Sequence, residues 1–71
     1  MRFVSIDTQY HLITLEPGED FDGLRHVTFR YRMSADGRAT IDSPVTQAEA
    51  GPEDWIDLRN FAQRELTKRI G

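Results

Sequence analysis

Apolar and polar residues alternate with a period of two along His26-Val-Thr-Phe-Arg-Tyr-Arg-Met33. Val27, Phe29, Tyr31 and Met33 fall on one face, and His26, Thr28, Arg30 and Arg32 on the other, the pattern of a half-buried strand. Upstream, residues 2–7 and 10–16 are rich in β-branched and aromatic side chains and predict two more strands. The link between them, Thr8-Gln9, has no glycine or asparagine to make a tight hairpin turn, which leaves their register open. Strict alternation puts Val4 and Ile6 on one face of the first strand and Phe3 on the other. In the second, Leu12 opposes Ile13 and Leu15. Both faces of this pair therefore carry apolar side chains.

Downstream, Ala35-Asp36-Gly37 predicts a three-residue hairpin loop with glycine in the left-handed position. That loop length places Met33 opposite Ala39, Arg32 opposite Thr40, Tyr31 opposite Ile41 and Arg30 opposite Asp42. A two-residue loop would set Met33 against Thr40 and mismatch the faces, because a slip of one residue turns a strand over. Pro44 ends this fourth strand. The side of the sheet on which the second hairpin lies is not determined by the pattern.

From Pro52 the period changes to that of a helix. Trp55, Leu58, Ala62, Leu66 and Ile70 form one stripe. Pro52 suits the first turn, Glu53, Asp54 and Asp57 face the positive end of the dipole, Lys68 and Arg69 the negative end, and Gly71 follows as a stop. Glu65 and Arg69 are spaced for an i,i+4 ion pair. Thr46-Gln-Ala-Glu49 has the spacing of a capping box and predicts one short helical turn, interrupted by Gly51-Pro52. The expected fold is a single α+β domain over residues 1–71: an antiparallel β-meander of about four strands with one C-terminal helix packed on one face, β-β-β-β-α.

Size changes the picture next. A chain of 71 residues draws only ~3–5 kcal/mol from one core and commonly needs a staple or a partner. With no cysteine there is no disulfide and no thiolate metal site, and the lack of cysteine fits a reducing, cytoplasmic setting. The N-terminal residues show no apolar signal region, and no stretch approaches the ~18 apolar residues of a membrane span. Self-association or a protein partner is the expected support.

Surface candidates follow from what the core does not use. A helix covers one face of a sheet, so the opposite face of the first hairpin, with Phe3 or Leu12 on it, needs another cover. On the helix, at ~100° per residue, Phe61 lies about 120° from the stripe centre and Ile56 about 100° to the other side. Phe3, Leu12, Ile56 and Phe61 are the candidate interface of a homodimer. Arg59, close to the stripe, is placed to carry its charge past the sheet edge.

A second candidate is an anion or nucleic-acid face made by His26, Arg30, Arg32 and Arg38, since guanidinium forks fit phosphate oxygens. Against it, the net charge is −3, Phe29 and Tyr31 point inward, and RNA-binding sheets set stacking rings beside their basic groups. Protein interaction is accordingly the first reading and nucleic-acid binding the alternative.

Glu16, Glu19, Asp20 and Asp22 form an acidic turn that lacks the further alternating ligands and closing glutamate of a calcium loop, so no metal is expected. Ser5, Ser34 and Ser43 sit in no nucleophile elbow. His11 and His26 lack an evident carboxylate orienter, and the glycines form no phosphate cradle. The chain is read as a non-catalytic module with no cofactor.

Overall fold

A computed structural model of the chain describes residues 1–19, 21 and 24–70. Four strands, β1 (Arg2–Asp7), β2 (Leu12–Glu16), β3 (Val27–Met33) and β4 (Ala39–Pro44), precede one helix, α1 (Pro52–Arg69). The strands form one antiparallel sheet in the order β1-β2-β3-β4. The second hairpin thus joins the sheet through β2 against β3, with Ile13 opposite Phe29 and Leu15 opposite Val27. This is the expected β-β-β-β-α arrangement. Asp20, Asp22 and Gly23 of the acidic turn, and the Gly71 stop, lie outside the described residues.

The β3–β4 hairpin follows its alternation. Met33 faces Ala39, Arg32 faces Thr40 and Tyr31 faces Ile41. Gly37 adopts φ +87°, a conformation that costs an L side chain energy and glycine none. Ser34 N–H donates to the Arg38 carbonyl at 2.8 Å, and Gly37 N–H donates to the Ser34 carbonyl at 3.1 Å. The expected match of Arg30 with Asp42 is not made. The ladder shifts register between Phe29 and Tyr31, so Phe29 faces Pro44, and Asp42 meets Arg32 instead, at 3.8 Å.

The first hairpin departs further from simple alternation. β2 begins at Leu12 and not at residue 10, because the chain is still turning through Tyr10 and His11. The Asp7 carboxylate accepts hydrogen bonds from the Gln9 and Tyr10 N–H groups at 2.9 and 3.0 Å. His11 takes φ +56°, the left-handed position that this turn needs and that the sequence does not fill with glycine. Its carbonyl accepts from Tyr31 N–H at 2.9 Å, and its ring stacks on the Tyr31 ring at 5.0 Å. These contacts hold a residue that would otherwise avoid that conformation.

A β-bulge then resets β1. Arg2 and Phe3 face Glu16 and Leu15, Ser5 and Ile6 face Thr14 and Ile13, and Val4 is the extra residue between them. The insertion brings Phe3 and Ile6 onto the same side, and both pack against the core. The two-sided apolar hairpin inferred from alternation is therefore reduced on its open side, because Phe3 joins Ile6 against the core. Of its residues on the face away from the helix, Leu12 remains, half-buried beside Arg30.

The core is Ile13, Leu15, Val27, Phe29, Tyr31, Ala39 and Ile41 from the sheet with Leu58, Ala62 and Leu66 from α1. Trp55 sits at its margin, edge-on to Phe29 at 6.1 Å. Gly51 is the N-cap and offers its carbonyl to Trp55 N–H at 3.2 Å, with no side-chain cap. Pro52 occupies the first turn, Glu53 and Asp54 share it, and Lys68 and Arg69 occupy the last. The short helical turn expected at 46–49 is absent. Thr46 is instead drawn onto β3, where its hydroxyl accepts from Thr28 N–H at 2.9 Å and Val45 N–H donates to the Thr28 carbonyl at 2.8 Å. A sheet partner has won over a local capping box.

Candidate interaction surface

The helix leans on β4 and β2, and its flank closes one edge of the sheet. Gln63, on that flank, aligns its carboxamide with the outer edge of β4. Its Oε1 accepts from Ile41 N–H at 2.9 Å, and its Nε2 donates to the Ala39 carbonyl at 2.9 Å. One side chain thus makes the donor–acceptor pair that a neighbouring strand would make. Arg59 reaches past the same edge, with Nη1 3.5 Å from the Ile41 carbonyl. Thr67 Oγ1 lies 3.2 Å from Gln63 Nε2 and fixes the amide's orientation. Gln63 was not among the candidates that the sequence suggested. The only signal is a polar column, Arg59-Gln63-Thr67, along one border of the apolar stripe.

The opposite edge of the sheet, the outer side of β1, has no such cover among the described residues. Val4 is 40 % exposed there, and Tyr10, at the hairpin end, 66 %. Unpaired strand edges are templates for further pairing, so proteins cover or charge them.

The four candidate interface residues do not form one patch. Phe3 is half-buried on the helix side of β1, with the Arg69 guanidinium carbon 3.6 Å from its ring centroid, a cation–π contact. Phe61 is half-buried against the core. Leu12 lies on the open face of the sheet. Ile56 is 57 % exposed on the helix. Phe3 and Phe61 thus spend much of their surface inside the fold.

The basic face is partly neutralised. Arg32 pairs with Asp42, and Arg38, in the β3–β4 turn, has its Nε 3.5 Å from Asp36. Hydrogen bonds from the Ser34 hydroxyl and then from Arg38 N–H hold the Asp36 carboxyl below its ordinary pKa. Arg30 and His26 are exposed, and among the described residues neither is within ion-pair reach of a carboxylate. Thr14 and Thr28 share a hydrogen bond of 2.9 Å between them at the centre of this face. Phe29 and Tyr31 are buried on the other side, so no stacking ring accompanies the arginines.

At the helix C-terminus, hydrogen bonding and charge from Lys68, joined by Arg69, lower the Glu65 pKa. The Lys68 ammonium is 3.2 Å and the Arg69 guanidinium 3.3 Å from the Glu65 carboxylate. This arrangement orders the Arg69 side chain that covers Phe3.

Folding also shifts the Tyr31 phenol. Burial of its ring, and secondarily the charge of Asp7, raise the phenol above its usual pKa of 10.0. The neutral form is favoured in the folded state. The resulting stability is therefore present below pH ~10 and lost as pH rises through the folded-state value. In a Tyr10→Phe variant, where Tyr31 is the only tyrosine, phenolate absorbance should appear above pH ~10 in the native protein and near 10 in denaturant. A native transition at or below the denatured one would refute the assignment.

No helix among the described residues is long and apolar enough to cross a membrane. Among the described residues, no three His, Asp or Glu side chains gather as metal ligands. Comparison with protein families, with curated proteins and with solved structures finds no match to this chain.

Proposed function

We propose that the chain is a small, non-catalytic interaction module that works by self-association through its first hairpin. The observation that carries this reading is the asymmetry of the two sheet edges. β4 is closed by Gln63, whereas β1 is open and carries exposed Val4, with Tyr10 at the hairpin end. A small domain with a limited core also gains stability from a second copy, since association favours the folded state by mass action. The cysteine-free sequence suits a reducing compartment such as the cytoplasm.

The alternative, nucleic-acid binding by His26, Arg30, Arg32 and Arg38, has less support. Two of its three guanidiniums face carboxylates of their own chain, and its aromatic residues are buried. The test of the preferred reading is molar mass by light scattering across a concentration series. Mass should rise from that of the 8.2 kDa chain to twice that value. A chain that remains monomeric at high micromolar concentration would overturn it.

A further inference from the structure

We infer that β1 pairs antiparallel with β1 of a second copy, in the one register that sets Arg2 opposite Asp7 of the mate. This rests on the self-association reading and adds to it the strand, the orientation and the register. In a two-fold pair of antiparallel strands, residue i faces residue j with i + j constant, and facing side chains must lie on the same side of the sheet. A regular six-residue strand cannot do this about its own midpoint, because alternation puts its two halves out of phase. β1 can, because of the bulge. Arg2, Ser5 and Asp7 face Glu16, Thr14 and Leu12 on the open side, whereas Phe3 and Ile6 face Leu15 and Ile13 on the helix side. With Val4 as the extra residue, exposure along the strand reads exposed, half-buried, exposed, exposed, half-buried, exposed. That sequence is the same in both directions about the Val4–Ser5 bond.

Pairing about that bond sets Phe3 against Ile6 of the mate on the helix side, Val4 against Ser5, and Arg2 against Asp7 on the open side. The cross-strand ends carry opposite charges, and symmetry makes the match twice. Arg2 already holds Glu16 at 2.6 Å, yet its side chain is 73 % exposed, leaving the other edge of its fork for a second carboxylate. Moving the dyad onto Val4 would set Arg2 against Ile6, and moving it onto Ser5 would set Phe3 against Asp7. Each mixes the two faces. A bulge on an edge strand ordinarily blunts it. Here the two bulges meet at the dyad, where they disturb the same place in both strands. The product is a continuous eight-stranded sheet with both helices on one face, ending at two β4 strands that Gln63 protects.

Because the sequence has no cysteine, disulfide trapping reads the geometry without background. Oxidising a mixture of Arg2→Cys and Asp7→Cys chains should give the mixed disulfide in preference to either homodisulfide. Directly opposed Cα atoms sit ~4.5–5.5 Å apart, within disulfide reach, whereas like positions would be on the order of 16 Å apart. Val4→Pro should halve the mass of the dimer while leaving the helical circular dichroism intact, since Val4 has no partner in β2 to lose. A wild-type monomer would overturn both this pairing and the self-association reading. A dimer that Val4→Pro leaves intact, or that traps Arg2→Cys to itself, would overturn the pairing alone.

Discussion

Replacing Leu58 by alanine should leave the chain largely unfolded at 25 °C. Leu58 is fully buried where α1 meets the sheet, in one cluster with Leu66, Ala62, Phe29 and Ile41. Truncating such a leucine costs about 2–5 kcal/mol, the lost transfer energy plus the cavity left behind. That is comparable with the ~3–5 kcal/mol that a core of this size supplies. The loss also propagates. α1 holds the edge of β4 through Gln63 and covers Phe3 through Arg69, so undocking the helix uncovers the β4 edge and Phe3 together with the core face. Circular dichroism at 222 nm and a urea titration, each at several protein concentrations, check this. Ile56→Ala is the control: Ile56 is exposed, alanine is the better helix former, and the midpoint should stay within about 0.5 kcal/mol of wild type. Equal midpoints for the two variants would mean that α1 is not docked as described.

Leu58 was legible in the sequence as part of a stripe, and so was most of the architecture. The reason is that burial imposes a period. Val27, Phe29 and Tyr31 must point one way in a strand, and the length of the Ala35–Gly37 loop then follows from keeping Tyr31 opposite Ile41. The departures all occur where a single local contact outweighs the period. One extra residue at Val4 turns Phe3 and Ile6 to the same side, and their odd spacing of three was the one hint of it. Thr46 gave up a capping box for a hydrogen bond to the Thr28 N–H of β3. His11 accepted a left-handed backbone because Tyr31 offered a ring and an N–H. None of these is a property of a local window. Each depends on which strand lies next door, and that the pattern does not state.

The surface was less legible for the same reason. Helical angle alone marked Phe61 and Ile56 equally as outliers, yet Phe61 packs against the core and Ile56 does not. The difference lies in where the sheet extends beyond the helix, which is a fact about strand order. The edge guard is the sharper case. A glutamine on a helix flank has no preferred reading until the edge strand beside it is known. The two edges of the sheet, which carry the functional proposal, can be told apart only once that strand order is in hand.

Removing the guard should therefore have a large and specific effect. Gln63→Ala deletes both hydrogen bonds to β4 and leaves the Ile41 N–H and the Ala39 carbonyl without their partner. Half-covered backbone groups deprived of a partner cost about 1–3 kcal/mol, so the variant should lose that much stability in denaturant titrations. Its second effect is on association: with β4 uncovered the sheet has two open edges, and species larger than a dimer should appear in light scattering. Gln63→Glu separates the guard from simple packing. A carboxylate keeps the acceptor for Ile41 N–H but turns a negative oxygen toward the Ala39 carbonyl. Only the protonated acid can donate there, so folding would raise the pKa of this glutamate above its usual value of about 4.3. The stability it contributes would be present at low pH and lost as pH rises through the folded-state value. Gln63→Glu should thus approach wild type below pH ~4 and fall behind it at pH 7. If Gln63→Ala and Gln63→Glu both matched wild type in stability and in mass at neutral pH, the carboxamide would not be what keeps β4 from pairing, and the asymmetry between the two edges would lose its cause.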